Sequence, residues 1–174
     1  MDKNDIINYS HRDIEKLRSF TANRWPKHLG RTHGVEHWDR VAKFGQMLYV
    51  DGADMDVIMA FAYLHDSERR NNDEDLHHGL RAARFIDTIR LSHLSFLDYD
   101  QIVKLKRACE LHTTEPRTSD LTIDICFDAD RMDLLRVGIL PLPDRMASKR
   151  GAELVSIPDY YEFYSDINSD FVVF

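Results

Sequence analysis

Apolar residues in this chain recur at three- and four-residue steps, and no convincing pair of segments alternates at a step of two. Val35, Trp38, Val41, Gly45 and Leu48 form one stripe over 34–50, which predicts a helix stopped by Asp51-Gly52. A helix over 55–65 follows, with Val57, Ile58, Phe61 and Leu64 inward. Ser10 with Asp13 reads as a capping box opening a helix over 11–24 that ends near Pro26. Beyond the polar break at 67–76, a fourth helix starts near His77 and carries Leu80, Ala83, Phe85, Ile86 and Ile89. A fifth starts around Asp100, aligns Ile102, Leu105, Cys109 and His112, and stops before Pro116. The sixth spans 120–136 with Ser119 as its cap. Its start, Thr122–Phe127, is β-branched enough to suggest a strand, but Ala129–Leu135 continues as helix. A shorter helix is expected over 144–156, and the tail 158–174 is aromatic and poorly patterned. The class is all-α, a bundle of six or more helices. A chain of 174 residues is expected to be one domain, 1–174.

The balance of 23 basic against 30 acidic side chains, a formal charge of −7, disfavours a nucleic-acid polymer or an anionic membrane as partner. Small phosphorylated ligands stay open, because a few arginines can bind them. Two cysteines, Cys109 and Cys126, make neither a disulfide framework nor a cysteine-rich zinc module. The first residues, Met1–Asp5, show no basic start with an apolar run behind it. The longest apolar run, Val57–Leu64, has 8 residues; a span needs ~20. A cytoplasmic protein is the expectation.

Nine histidines and 22 aspartates against 8 glutamates are the informative excess. Imidazole and carboxylate are the usual donors to Zn, Fe and Mn. His65-Asp66 ends the apolar third helix, placing two donors side by side on a fixed rim; a surface pair is the plainer reading. His33 and His37 are four apart, which suits one helical face. Asp128, Asp130 and Asp133 cluster on the sixth helix. Asp130 aligns with Ile123, Phe127 and Leu134, where a carboxylate is costly unless paired or metal-bound. An N-cap or a salt bridge with Arg131 or Arg136 is the plainer alternative.

A histidine on one helix, His-Asp at the end of the next and an aspartate on a late helix resemble the HD-domain superfamily of metal-dependent phosphohydrolases. The resemblance is strongest over 30–140, in HGVEHW, HDSERRNND, HHGLRAA and DADRMDLLRVG. It implies an HD-like helical bundle, with 141–174 as an extension packed on it. It also implies a divalent ion (Mn, Fe, Zn, Ni, Co or Mg) held by His37, His65, Asp66 and Asp130. His78 and His112 are expected to line the site and touch substrate. Two-metal members carry a His pair where this chain has His112 alone, so a full second ion is not implied. Arg69, in the turn after His65-Asp66, is the expected phosphate contact; Arg70, Arg81 and Arg131 lie near motif segments. Glu68 or Asp73 is the candidate general acid or base beside Asp66. His11, His28, His77 and His93 are expected at the surface. The expected activity is hydrolysis of a small phosphomonoester, nucleotide or phosphodiester by metal-activated water. An HD-like di-iron oxygenase and a non-catalytic metal- and nucleotide-binding module are the alternatives.

Overall fold

The computed structural model describes residues 10–169. The N-terminal residues read for a targeting signal, and 170–174 of the tail, lie outside them. The described residues form eight α-helices and no strand: α1 (His11–Arg24), α2 (Val35–Leu48), α3 (Met55–Leu64), α4 (His78–His93), α5 (Tyr99–Leu111), α6 (Leu121–Met132), α7 (Lys149–Val155) and α8 (Tyr160–Ser169). None is long and apolar enough to cross a membrane.

Helix α3 is buried along every residue from Val57 to Leu64, as a helix apolar all round must be. Helices α1, α2, α5 and α6 pack against it, and α4, the longest, packs on α5. Trp38, Phe44, Phe61 and Phe127 fill the space between them and are fully buried. Two glycines set how closely the helices approach. A Cβ on Gly45 would run into Ile58 of α3, and one on Gly79 of α4 would run into the Cys109 carbonyl of α5.

Several helix ends differ from expectation. Ser10 makes no side-chain cap, because its backbone (φ −59°, ψ 40°) is not extended as a capping residue requires. Its N–H instead donates to Asp56 Oδ1 at 3.3 Å. Asp120, not Ser119, caps α6, its carboxylate accepting from the Thr122 and Ile123 amides. Residues Thr122–Phe127 are helical. The α-helix ends at Met132, and Asp133–Val137 continue as a 3-10 turn. The expected helix over 144–156 is split into a 3-10 turn (Pro143–Arg145) and α7. Asp128 secures the start of α7 by accepting from the Ala147 amide at 2.6 Å and the Ser148 amide at 2.8 Å. The tail forms α8, with Tyr160, Tyr164 and Ile167 buried at helical spacing. Tyrosines on the inward stripe, each with its hydroxyl spent on the neighbouring 132–133 turn, hid this helix from a reading of hydropathy.

Candidate metal centre

The ends of five helices converge on one buried cluster. Its donor atoms fall into two groups of three, His37, His65 and Asp130, and Asp66, His78 and His112, each group lying within 4.8 Å of itself. His37 occupies the first turn of α2, His65 caps the C-terminus of α3, His78 opens α4, His112 caps the C-terminus of α5 and Asp130 belongs to the last turn of α6. Asp66 lies between the groups. Its Oδ2 is 3.6 Å from His37 Nε2 and 3.8 Å from His65 Nε2, and its Oδ1 is 3.0 Å from His78 Nε2 and 3.9 Å from His112 Nε2.

Every one of these imidazoles is pinned through Nδ1 to an atom that only accepts. His37 Nδ1 donates to Asp133 Oδ2 at 2.7 Å, His65 Nδ1 to the Phe61 and Ala62 carbonyls at 3.1 and 3.2 Å, and His112 Nδ1 to the Cys109 carbonyl at 2.7 Å. His78 Nδ1 donates to the Asp75 carbonyl. In the neutral ring the proton is therefore on Nδ1 and the Nε2 lone pair points inward. Yet His37 Nε2 is 3.0 Å from His65 Nε2, and His78 Nε2 is 2.9 Å from His112 Nε2. Two lone pairs facing at that distance repel unless a cation lies between or beside them. Donors about 2.1 Å from an ion at tetrahedral angles stand about 3.4 Å apart. The 3.4 Å from His37 Nε2 to Asp130 Oδ1 and the 3.7 Å from His65 Nε2 to the same oxygen match that spacing. The donor set thus fits a divalent ion, and the second group fits another.

The electrostatics are those of a ligand set. Burial pulls the His65 imidazole down to about 3 and also lowers His112, keeping both neutral. Burial would raise Asp66, but the imidazoles of His65, His33, His78 and His37 outweigh it and hold the carboxyl well below the ordinary range. Asp130 is lowered in the same way, burial being overcome by His65, His37, His112 and Arg136. At His78 burial lowers basicity, but its bond to the Asp66 carboxylate prevails and raises it.

Behind His37 stands Asp133, fully buried. It also accepts from Arg40 Nε at 2.6 Å and from the Tyr164 hydroxyl of α8 at 2.7 Å. Burial would raise this carboxyl too, but His37 and Arg40 hold it low. A carboxylate behind a ligating imidazole fixes the ring and raises its basicity. Tyr164→Phe removes one charge-assisted bond and is expected to cost about 1.5–3 kcal/mol of folding stability, read as a lower urea midpoint. An unchanged midpoint would mean that Arg40 and His37 satisfy Asp133 without the hydroxyl.

The remaining candidates are placed as follows. His33 does not share a helical face with His37, because Gly34 is the N-cap and leaves His33 in the preceding turn. From there its Nδ1 still reaches Asp66 Oδ2 at 3.0 Å. Arg69 Nη1 lies 3.6 Å from Asp66 Oδ1, while Nη2 donates to the Asp73 carbonyl at 2.7 Å. Glu68 is not brought into the cluster: its carboxylate pairs with Arg24 at 3.2 Å, and Arg24 lies over the Phe85 ring. Asp73 meets Arg69 through its main chain. Arg81 braces the 66–78 loop, donating to the Glu68 carbonyl at 3.0 Å and pairing with Asp75. Asp128 belongs to the α7 cap rather than to the cluster. Arg136, read only as a salt-bridge partner, reaches the Thr32 carbonyl at 2.9 Å and stands 3.4 Å from His33 Nδ1. Nothing in its local sequence signals that position, which depends on the 3-10 turn after α6.

The fold is shared with a crystal structure of a predicted HD superfamily hydrolase from an uncultured Thermotogales bacterium. The two match with a TM-score of 0.67 at 17% identity, over 99% of this chain and 98% of that one. No protein-family model matches the chain, and no curated protein matches it. The architecture is that of an HD-domain helical bundle.

Proposed function

On the premise of an HD-domain fold, we propose that this protein is a metal-dependent hydrolase of the HD superfamily that cleaves a small phosphorylated substrate. The observation that carries the reading is the inward convergence of four Nδ1-locked imidazoles on the shared Asp66 carboxylate. His37, His65, Asp66 and Asp130 would hold one divalent ion, and Asp66, His78 and His112 would offer three donors to a second. Such ions supply water of lowered pKa and polarise a phosphoryl oxygen.

The chain's own groups do the rest. Ionised Asp66 and Asp130 bring two negative charges to a set in which the His65 and His112 imidazoles are neutral, so the donors balance divalent charge in a largely buried site. Asp130, with 18% of its side chain exposed, marks a side open to solvent. Arg69 has its Nη2 anchored on the Asp73 carbonyl, so Nη1 is held at the edge of the cluster, suited to one phosphate oxygen. His33 and Arg136 add polar hydrogens on the side of Asp66 away from His78. Glu68 is given no role in this reading, because its carboxylate pairs with Arg24 and not with the cluster.

Elemental analysis of the purified protein and a panel of phosphorylated metabolites test this reading. Bound transition metal and phosphate release that chelation abolishes and added metal restores are expected. Undiminished hydrolysis after chelation would overturn it. Arg69→Ala is expected to retain the metal and lose about tenfold or more in kcat/KM on the best substrate. Unchanged kinetics would remove the phosphate contact and leave the metal site standing. The second group of donors also suits a di-iron oxygenase. Bound iron with substrate-dependent O2 uptake, and no phosphate release from any panel member, would favour that reading.

A further inference from the structure

The segment Thr113–Arg117, leaving α5, faces the segment 139–146 across a cleft of about 550 Å3. Arg131 joins the two walls. Its Nη1 donates to the Pro116 carbonyl at 2.7 Å and the Arg145 carbonyl at 3.1 Å, and its Nη2 to the Glu115 carbonyl at 2.8 Å. With three of its five donors on main-chain oxygens, Arg131 fixes the shape of the cleft.

None of the six donors lines the cleft, but two of its lining residues lie close to donors along the chain. Thr113 follows the donor His112, and Leu134 stands one turn beyond Asp130, the partly exposed donor; both residues line the cleft. One wall is apolar, although the exposed side chains of Glu115, Arg117, Asp144 and Arg145 also line the cleft. Ile139, Leu140 and Leu142 are 54%, 42% and 48% exposed, an unusual grouping of aliphatic side chains in a chain carrying a net charge of −7. The volume lies within the range of pockets that enclose one small organic molecule.

We propose that this cleft is the subsite for the organic group of the substrate, and that the group is apolar: a phosphate ester of an alkyl or aryl alcohol, with its phosphate at the metal centre. The inference rests on the reading of the centre as a phosphate site, and deepens it by naming the class of alcohol. The ester oxygen leaves the metal cluster past Asp130, and the hydrocarbon lies along Leu134 against Ile139 and Leu142. Against Ile139, Leu140 and Leu142 a hydrocarbon is favoured over the hydroxyls of a polyol or sugar, which lose water there without a partner on that wall.

Alkylphosphonates test the subsite independently of turnover, because their carbon–phosphorus bond resists hydrolysis. Calorimetry of the purified protein supplemented with Mn2+ is expected to show hexylphosphonate binding at least about tenfold more tightly than methylphosphonate. In Ile139→Ser/Leu142→Ser protein, whose altered side chains are exposed and leave the core alone, the ratio is expected to fall below about threefold. Equal affinities for the two probes, or affinity for neither, overturn the proposal. So does a dimer that the double variant converts to monomer without changing the probe ratio, which would make the apolar wall a self-association face. A retained hexyl preference in protein that hydrolyses no phosphate ester would sink the hydrolase reading and leave the subsite standing.

Discussion

Asp66→Asn protein is expected to lose more than about a hundredfold in phosphate release while keeping its helical content. The carboxylate is the one group with an oxygen toward each half of the cluster, 3.6 Å from His37 and 3.0 Å from His78. An amide has nearly the same shape, so packing around this position survives. It carries no charge, however, and its nitrogen presents hydrogens to an imidazole lone pair that otherwise faces a cation. One side of the bridge thus becomes an ordinary hydrogen bond, and the ion on that side loses a ligand. Elemental analysis should show reduced metal, and circular dichroism an unchanged spectrum. Full activity in metal-depleted Asp66→Asn protein would falsify the mechanism.

Gly79→Ala is expected to be the most damaging small substitution outside the ligand set. In an exposed helix, alanine in place of glycine gains about 1 kcal/mol. Here the new methyl group meets the Cys109 carbonyl, with the Glu110 carbonyl close by, and both belong to the backbone of α5. Overpacking of this kind costs about 1–3 kcal/mol or more, because backbone cannot swing aside as a side-chain tip does. The net expectation is a loss of about 1 kcal/mol in urea unfolding. The functional loss is larger than that figure suggests. Separating α4 from α5 draws His78 away from His112, whose Nε2 atoms are 2.9 Å apart, so the second group of donors is the first to fail. A stabilised Gly79→Ala protein with both donors still coupled would show that the two helices slide past the methyl group.

The helices that frame the cluster were legible because each carries its own 3.6-residue stripe, and α2, α3 and α5 are followed by Asp, Gly or Pro. His65-Asp66 was legible as a helix end, since the apolar run of α3 stops there. What depends on non-local geometry was not. His33 is four residues from His37, but the Gly34 N-cap puts it off the helix. His78 meets His112 across 34 residues, through an approach that only Gly79 permits. Asp133 resembles its neighbour Asp128 in sequence; one turns toward His37 and the other toward the α7 cap because the helix tightens to 3-10 geometry between Met132 and Val137. Glu68 was misplaced for the same reason: proximity in sequence to Asp66 says nothing of the Arg24 side chain that captures it.

The link from His37 to Asp133 joins residues 96 positions apart. In polymer terms the cluster is a knot tied from strands of chain that the unfolded state holds far from one another. Closing loops of that length is paid for in chain entropy, at a price that grows only slowly with further length. An ion that binds the closed arrangement and not the open chain returns about 4 kcal/mol at a thousandfold excess over its dissociation constant. An ion serving the proposed chemistry would then also be a reversible cross-link, and a depleted growth medium would be felt first as a protein that melts early.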